Sequence, residues 1–123
     1  MYCPKCKTYM EKVVFGDIEV DRCIECKGIW FDALENVQLK KMNGSESIDI
    51  GKRKLGKQMN EVANYKCPKC NQAMVKMVVP GQNHIWYESC SRCYGVYFDA
   101  GEFKDYKEKN LLDKIKSFLT PER

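Results

Sequence analysis

Eight cysteines carry the chemistry of this 123-residue chain. They fall as four Cys-x-x-Cys pairs in two sets: Cys3, Cys6, Cys23 and Cys26, then Cys67, Cys70, Cys90 and Cys93. Each set opens with Cys-Pro-Lys-Cys, and 16 residues separate its two pairs in the first copy, 19 in the second. This spacing reads as a four-cysteine zinc site. Two residues between cysteines let one tight turn aim both sulfurs at one ion, and the long gap is a hairpin that returns the second turn to the first. Four thiolates at about 2.3 Å then close a tetrahedron around Zn2+. The expectation is two Zn2+ per chain, four cysteines each, with no cysteine left over. The competing reading is a disulfide framework. Thioredoxin-like use calls for one pair beside a βαβ unit, whereas four pairs in two matched sets suit metal.

The second pair of each set is embedded in a repeated phrase, DRCIECKGIWFDALE at 21–35 and ESCSRCYGVYFDAGE at 88–102. Ahead of it, β-branched residues flank Gly16-Asp17 in the first copy, a two-residue hairpin signal. In the second copy the turn is expected at Pro80-Gly81-Gln82-Asn83, which places the three extra residues at the hairpin tip. Gly28 and Gly95 follow the second knuckles, where a positive φ would fold the backbone over the sulfurs. Ile29–Phe31 and Val96–Phe98 read as short third strands. Asp32 and Asp99, each followed three residues later by Glu35 or Glu102, read as capping-box helix starts. The fold class expected is a small metal-stabilised α+β protein: two zinc ribbons, each a hairpin with knuckles and a short third strand followed by an α-helix.

The pattern Cys-Pro-x-Cys, hairpin, Asp-x-Cys-x-x-Cys-x-Gly-Ile-Trp-Phe-Asp-x-x-Glu resembles the transcription factor IIB-type zinc-ribbon domain of small prokaryotic proteins. The first copy carries it at Cys3, Pro4, Cys6, Asp21, Cys23, Cys26, Gly28, Trp30, Asp32 and Glu35; the second has Glu88 for the first acid and Tyr97 for the Trp. The resemblance implies zinc and a ribbon fold, and no particular activity.

Each copy is about 40 residues, a length at which a chain rarely buries enough apolar surface to fold alone. Zinc binding is therefore expected to supply folding energy. The division expected is a first ribbon with its helix at 1–42, a linker at 43–65 holding a short amphipathic helix near 53–63, and a second ribbon with a long C-terminal helix at 66–123. The first helix is expected over Ala33–Met42 with Leu34, Val37 and Leu39 inward. The last is expected over Ala100–Leu119, where Phe103, Tyr106, Leu111, Ile115, Phe118 and Leu119 make an apolar stripe suited to a core or to a homodimer.

The formal net charge is +4. Four thiolates and one divalent ion together carry about −2, so two filled sites bring the protein near neutrality. Its basicity is then no argument for nucleic acid. Lys5, Lys7, Arg22, Lys27, Lys66, Lys69 and Arg92 flank the knuckles and are expected to offset thiolate charge. The candidate nucleic-acid contacts are the basic run Lys52, Arg53, Lys54 and Lys57, together with Tyr94, a candidate exposed aromatic. His84, the sole histidine, reads as surface.

No apolar run approaches the roughly 20 residues of a membrane span, and the N-terminal residues lack the apolar core of a secretory signal. A cytoplasmic location, where thiols stay reduced, is expected. Closed four-cysteine sites leave no open coordination position, which points to a non-enzymatic interaction module, with a protein partner favoured slightly over nucleic acid and no small-molecule substrate. The alternative is a redox protein, either a rubredoxin-like iron carrier or a zinc redox switch. Catalysis by Asp21 and Asp32, or by Glu88 and Asp99, is disfavoured because their repetition suits hairpin and cap roles.

Overall fold

The computed structural model describes residues 1–62, 65–79 and 81–107, side chains at 82–84 excepted. The first copy forms a hairpin of β1 (Met10–Phe15) and β2 (Ile18–Cys23), a short β3 (Ile29–Phe31) and helix α1 (Glu35–Lys40). A 3-10 turn (Ser45–Ile48) and α2 (Arg53–Met59) follow. The second copy repeats the pattern with β4 (Val75–Val79), β5 (Gln82–Ser89), β6 (Val96–Phe98) and a helical α3 at residues 102–107.

The two copies share one antiparallel sheet in the order β1-β2-β3-β6-β5-β4. The seam is the pairing of the two short strands, with Ile29 opposite Phe98, Trp30 opposite Tyr97 and Phe31 opposite Val96. The arrangement is a pseudo-twofold within one chain, and it gives the third strands a central place. All six of their residues are buried. Because side chains alternate across a sheet, Ile29, Phe31, Val96 and Phe98 enter one interior while Trp30 and Tyr97 face the cysteines on the other side.

The first interior is a hydrophobic core common to both copies: Val20, Ile29, Phe31, Leu39, Val79, Ile85, Val96, Phe98 and Phe103, closed by Ile48 from the connecting segment. Phe31 meets Phe98 edge-on at 5.5 Å, and Tyr87 stacks on Phe98 at 5.2 Å. Neither 40-residue copy builds this core alone. Apolar burial across the seam thus supplies folding energy that a single copy lacks.

Several local expectations are corrected. Helix α1 is shorter than Ala33–Met42; only Leu39 is buried, while Leu34 is 66% exposed with φ +70° and Val37 faces solvent. Half of the expected capping box forms: the Glu35 carboxylate accepts from the Asp32 N–H at 2.9 Å, but Asp32 does not cap the helix. Its carboxylate accepts from the Trp30 indole at 3.1 Å instead. The extra residues of the second hairpin do not lengthen its tip. Val79 pairs with Gln82, and a register shift places the additional chain on the β5 side.

The connecting segment is anchored to the fold by its buried residues Ser45, Ile48, Asp49 and Gly56. The Asp49 carboxylate, 1% exposed, accepts from the backbone N–H groups of Gly101 and Lys104 at 2.9 Å each. Gly56 on α2 is buried because a Cβ there would collide with the Ala100 carbonyl. The stretch expected as a helix around Leu55, Met59 and Val62 is helical as far as Met59. The expected continuation of the last helix, with Leu111, Ile115, Phe118, Leu119 and the dimer they suggested, lies outside the described residues, as does the side chain of His84.

Candidate metal centres

Two knuckles converge in each copy because each Cys-x-x-Cys turn follows or precedes a strand of the same hairpin. The turn at Cys3–Lys7 closes through Lys7 N–H to the Cys3 carbonyl at 3.0 Å, and the turn at Cys23–Lys27 through Lys27 N–H to the Cys23 carbonyl at 3.1 Å. The second copy repeats both closures at Asn71 and Tyr94. Lys7, Lys27, Asn71 and Tyr94 take the left-handed conformation, with φ between +57° and +66°. The expectation that Gly28 and Gly95 supply this positive φ is corrected, since the residue before each glycine does so.

The glycines answer a different need. A Cβ at Gly28 would overlap the hydroxyl end of Tyr97, and one at Gly95 would overlap the ring of Trp30. Each knuckle therefore receives the central aromatic of the other copy, and only glycine leaves room for it.

The eight thiols are free. The ligand atoms of Cys3, Cys6, Cys23 and Cys26 lie within 4.8 Å of one another, and so do those of Cys67, Cys70, Cys90 and Cys93. The edge of a tetrahedron with bonds of about 2.3 Å is about 3.8 Å. Cys3 and Cys26 stand 3.7 Å apart, Cys67 and Cys93 3.8 Å, and Cys6 and Cys23 3.2 Å. The donor set and its spacing fit zinc. In each quartet backbone N–H groups also point at sulfur: Glu25 and Cys26 at Cys23, Lys69 and Cys70 at Cys67, Arg92 and Cys93 at Cys90, all at 3.3–3.5 Å. Such donors favour thiolate over thiol.

The titration of the sulfurs follows these contacts. The hydrogen bond from Cys26, set against burial and aided by the Cys6 N–H and Tyr97 hydroxyl, brings the Cys3 thiol down to about 4. The same bond, with burial, drives Cys26 upward. Burial pushes Cys23 to about 11 and Cys67 to about 12. At Cys90 burial opposes ionisation, but the N–H groups of Cys93 and Arg92 bring the thiol down to about 7. Without metal Cys23 and Cys26 of the first quartet thus keep their protons, and a divalent ion must displace them on binding.

Four of the flanking cations make their hydrogen bonds to carboxylates or carbonyls. Lys5 reaches the second copy, with Nζ 2.8 Å from Asp99 Oδ2 and 3.3 Å from Glu88 Oε1. Lys69 reaches back to Asp32. Arg22 donates to Glu11 and to the Ile48 carbonyl, and Lys7 to the Pro4 carbonyl. The contacts of Lys5 and Lys69 across the seam, together with the thiol-facing role of Tyr97, escape a reading of either copy alone. The signal that could have revealed them is the Lys of Cys-Pro-Lys-Cys recurring in both copies alongside a recurring Asp.

Of the candidate nucleic-acid contacts, Lys52, Arg53, Lys54 and Lys57 are exposed on or beside α2, with Arg53 paired to Asp105. Tyr94 is 67% exposed.

A family model described as a transcription factor zinc-finger, of the TFIIB zinc-ribbon type, matches the chain at residues 2–42 and again at 66–109, more than half of its length. No curated protein and no solved structure matches it. Among the described residues, no helix is long and apolar enough to cross a membrane.

Proposed function

The chain belongs to the transcription factor zinc-finger family of TFIIB zinc-ribbon type, and on that premise we propose that it holds two Zn2+ and works by binding another macromolecule in the cytoplasm, without catalysis. The observation that carries this reading is the closure of both quartets. Four sulfurs converge in each, which fills a tetrahedral ion and leaves no position for water or substrate. Cys3, Cys6, Cys23 and Cys26 hold one ion; Cys67, Cys70, Cys90 and Cys93 hold the other.

A protein partner is favoured over nucleic acid. The filled sites cancel the formal +4, and apolar side chains including Tyr2, Tyr9, Val14, Leu34 and Val75 stand exposed. Crosslinking in native cells with and without nuclease, followed by mass spectrometry and metal analysis of the purified chain, tests this. Two zincs per chain and nuclease-insensitive protein crosslinks are expected. Nuclease-sensitive capture alone would reassign the module to nucleic acid, and a red, iron-loaded protein would reassign it to electron transfer.

A further inference from the structure

The pseudo-twofold equates Trp30 with Tyr97, yet their polar atoms have different partners. The Trp30 indole N–H donates to Asp32, two residues along its own strand's exit, while its ring fills the space at Gly95. The Tyr97 hydroxyl lies in the first quartet, 3.1 Å from Cys3 Sγ and 3.2 Å from Cys26 Sγ. The residue is fully buried, and the missing side chain at Gly28 makes the space for that hydroxyl. A thiolate only accepts and a phenol has one proton, so the hydroxyl is the donor, its proton lying between two sulfurs. The first quartet thus has a charge-assisted donor from the other copy, and no equivalent reaches the second quartet from Trp30.

We propose that Tyr97 is a positioning residue of the first metal centre: its hydroxyl fixes the Cys3 and Cys26 thiolates for metal, making the first site the tighter of two otherwise matched sites and tying its occupancy to the pairing of the ribbons. This rests on the metal-binding reading above. Hydrogen-bonding partners that orient metal ligands are worth about 10–100-fold in affinity. The cost of removing the oxygen falls on one site only, since the Tyr97 ring still fills its place.

The test is Tyr97→Phe in the full chain loaded with zinc. A competing chelator is added, released thiols are trapped with N-ethylmaleimide, and the alkylated cysteines are mapped by mass spectrometry. In the wild type, Cys67, Cys70, Cys90 and Cys93 are expected to react first. In the variant, Cys3, Cys6, Cys23 and Cys26 should react at chelator concentrations about 10–100-fold lower than before, with the second quartet unchanged. With Co2+ in place of zinc, about a quarter of the sulfur-to-metal charge-transfer intensity, the share of two thiolates in eight, should move to longer wavelength, because a thiolate that loses a hydrogen bond gives up its electron more easily. Unchanged release from the first quartet, or equal weakening of both, overturns the proposal. A wild-type chain that binds no metal overturns the metal-binding reading instead.

Discussion

Lys5 of the first ribbon and Asp99 of the second form a fully buried ion pair across the pseudo-twofold, with Nζ and Oδ2 2.8 Å apart and no exposure of either side chain. The equivalent pair, Lys69 and Asp32, lies at the surface, with side chains 43% and 48% exposed. The connecting segment breaks the symmetry. It covers the first pair, and its Met59 carbonyl accepts from Lys5 at 3.1 Å. Burial raises the Asp99 carboxyl to about 6 despite Lys5, so the lysine is what keeps it largely ionised at neutral pH.

Replacing the two lysines should therefore have unequal effects. Lys5→Met leaves Asp99 and Glu88 buried without their cation and is expected to cost about 3–5 kcal/mol. Lys69→Met removes an exposed pair and is expected to cost less than about 1 kcal/mol. Denaturant unfolding of the zinc-loaded variants measures both. Equal losses would mean that the covering by α2 does not matter.

The glycines make a second prediction. Gly28→Ala and Gly95→Ala force a methyl into the Tyr97 hydroxyl and the Trp30 ring respectively, and overpacking of this kind costs about 1–3 kcal/mol. If the cause is the aromatic, a Tyr97→Ala background should absorb most of the Gly28→Ala loss. A loss that persists in the double variant would put the requirement in the backbone.

The contrast shows what the sequence could and could not reveal. Cysteine spacing, the hairpins and the third strands are local features, and Cys23, Gly16-Asp17 and Ile29–Phe31 declare them within a few residues. The β3–β6 pairing is not local, so the glycines next to the aromatics looked like conformational devices when read one copy at a time. A clue was present. Three consecutive apolar residues, Ile29-Trp30-Phe31, suit a strand buried on both faces, which an edge strand of a lone ribbon is not. Leu34 and Val37 fail as core for the complementary reason: helical periodicity marks a face, but α1 ends after six residues and turns only Leu39 onto the sheet.

Glu102 gives a pH dependence. Its carboxyl faces a cleft of about 130 Å³ shared with Asn60, Trp86 and Gly101. Burial, reinforced by the charges of Asp99 and Glu88, pushes it up to about 8 from an ordinary 4.5. The folded state therefore keeps a proton that the unfolded state loses near pH 4.5. Stability from this group is complete below about 4.5 and drains away as pH rises to about 8. Glu102→Gln cannot ionise, so its stability relative to wild type should climb through that window, gaining about 3–4 kcal/mol by pH 8. Paired melts at pH 5, 6, 7 and 8 with saturating zinc cancel the metal's own pH dependence. A flat difference would show that the carboxyl ionises freely.

The seam itself can be tested by cutting the chain. Residues 1–42 contain the whole first quartet, so a peptide of that length should still bind one Zn2+. It lacks β6, however, which leaves the backbone edge of β3 unpaired and Trp30 and Phe31 without the Tyr97 and Phe98 side of their packing. Trp30 is the only tryptophan in 1–42, and it is fully buried in the intact chain. The zinc-loaded peptide should emit with the red-shifted maximum of a hydrated indole. Adding the zinc-loaded 43–123 fragment should restore the sheet, and the Trp30 contribution should shift to the blue at one-to-one stoichiometry. Since Trp86 in the larger fragment is 37% exposed, its emission is subtracted as a fixed background. Failure of the fragments to associate, or a blue emission from the peptide alone, would mean that each ribbon completes its own interior and that the six-stranded sheet is not what holds the two together.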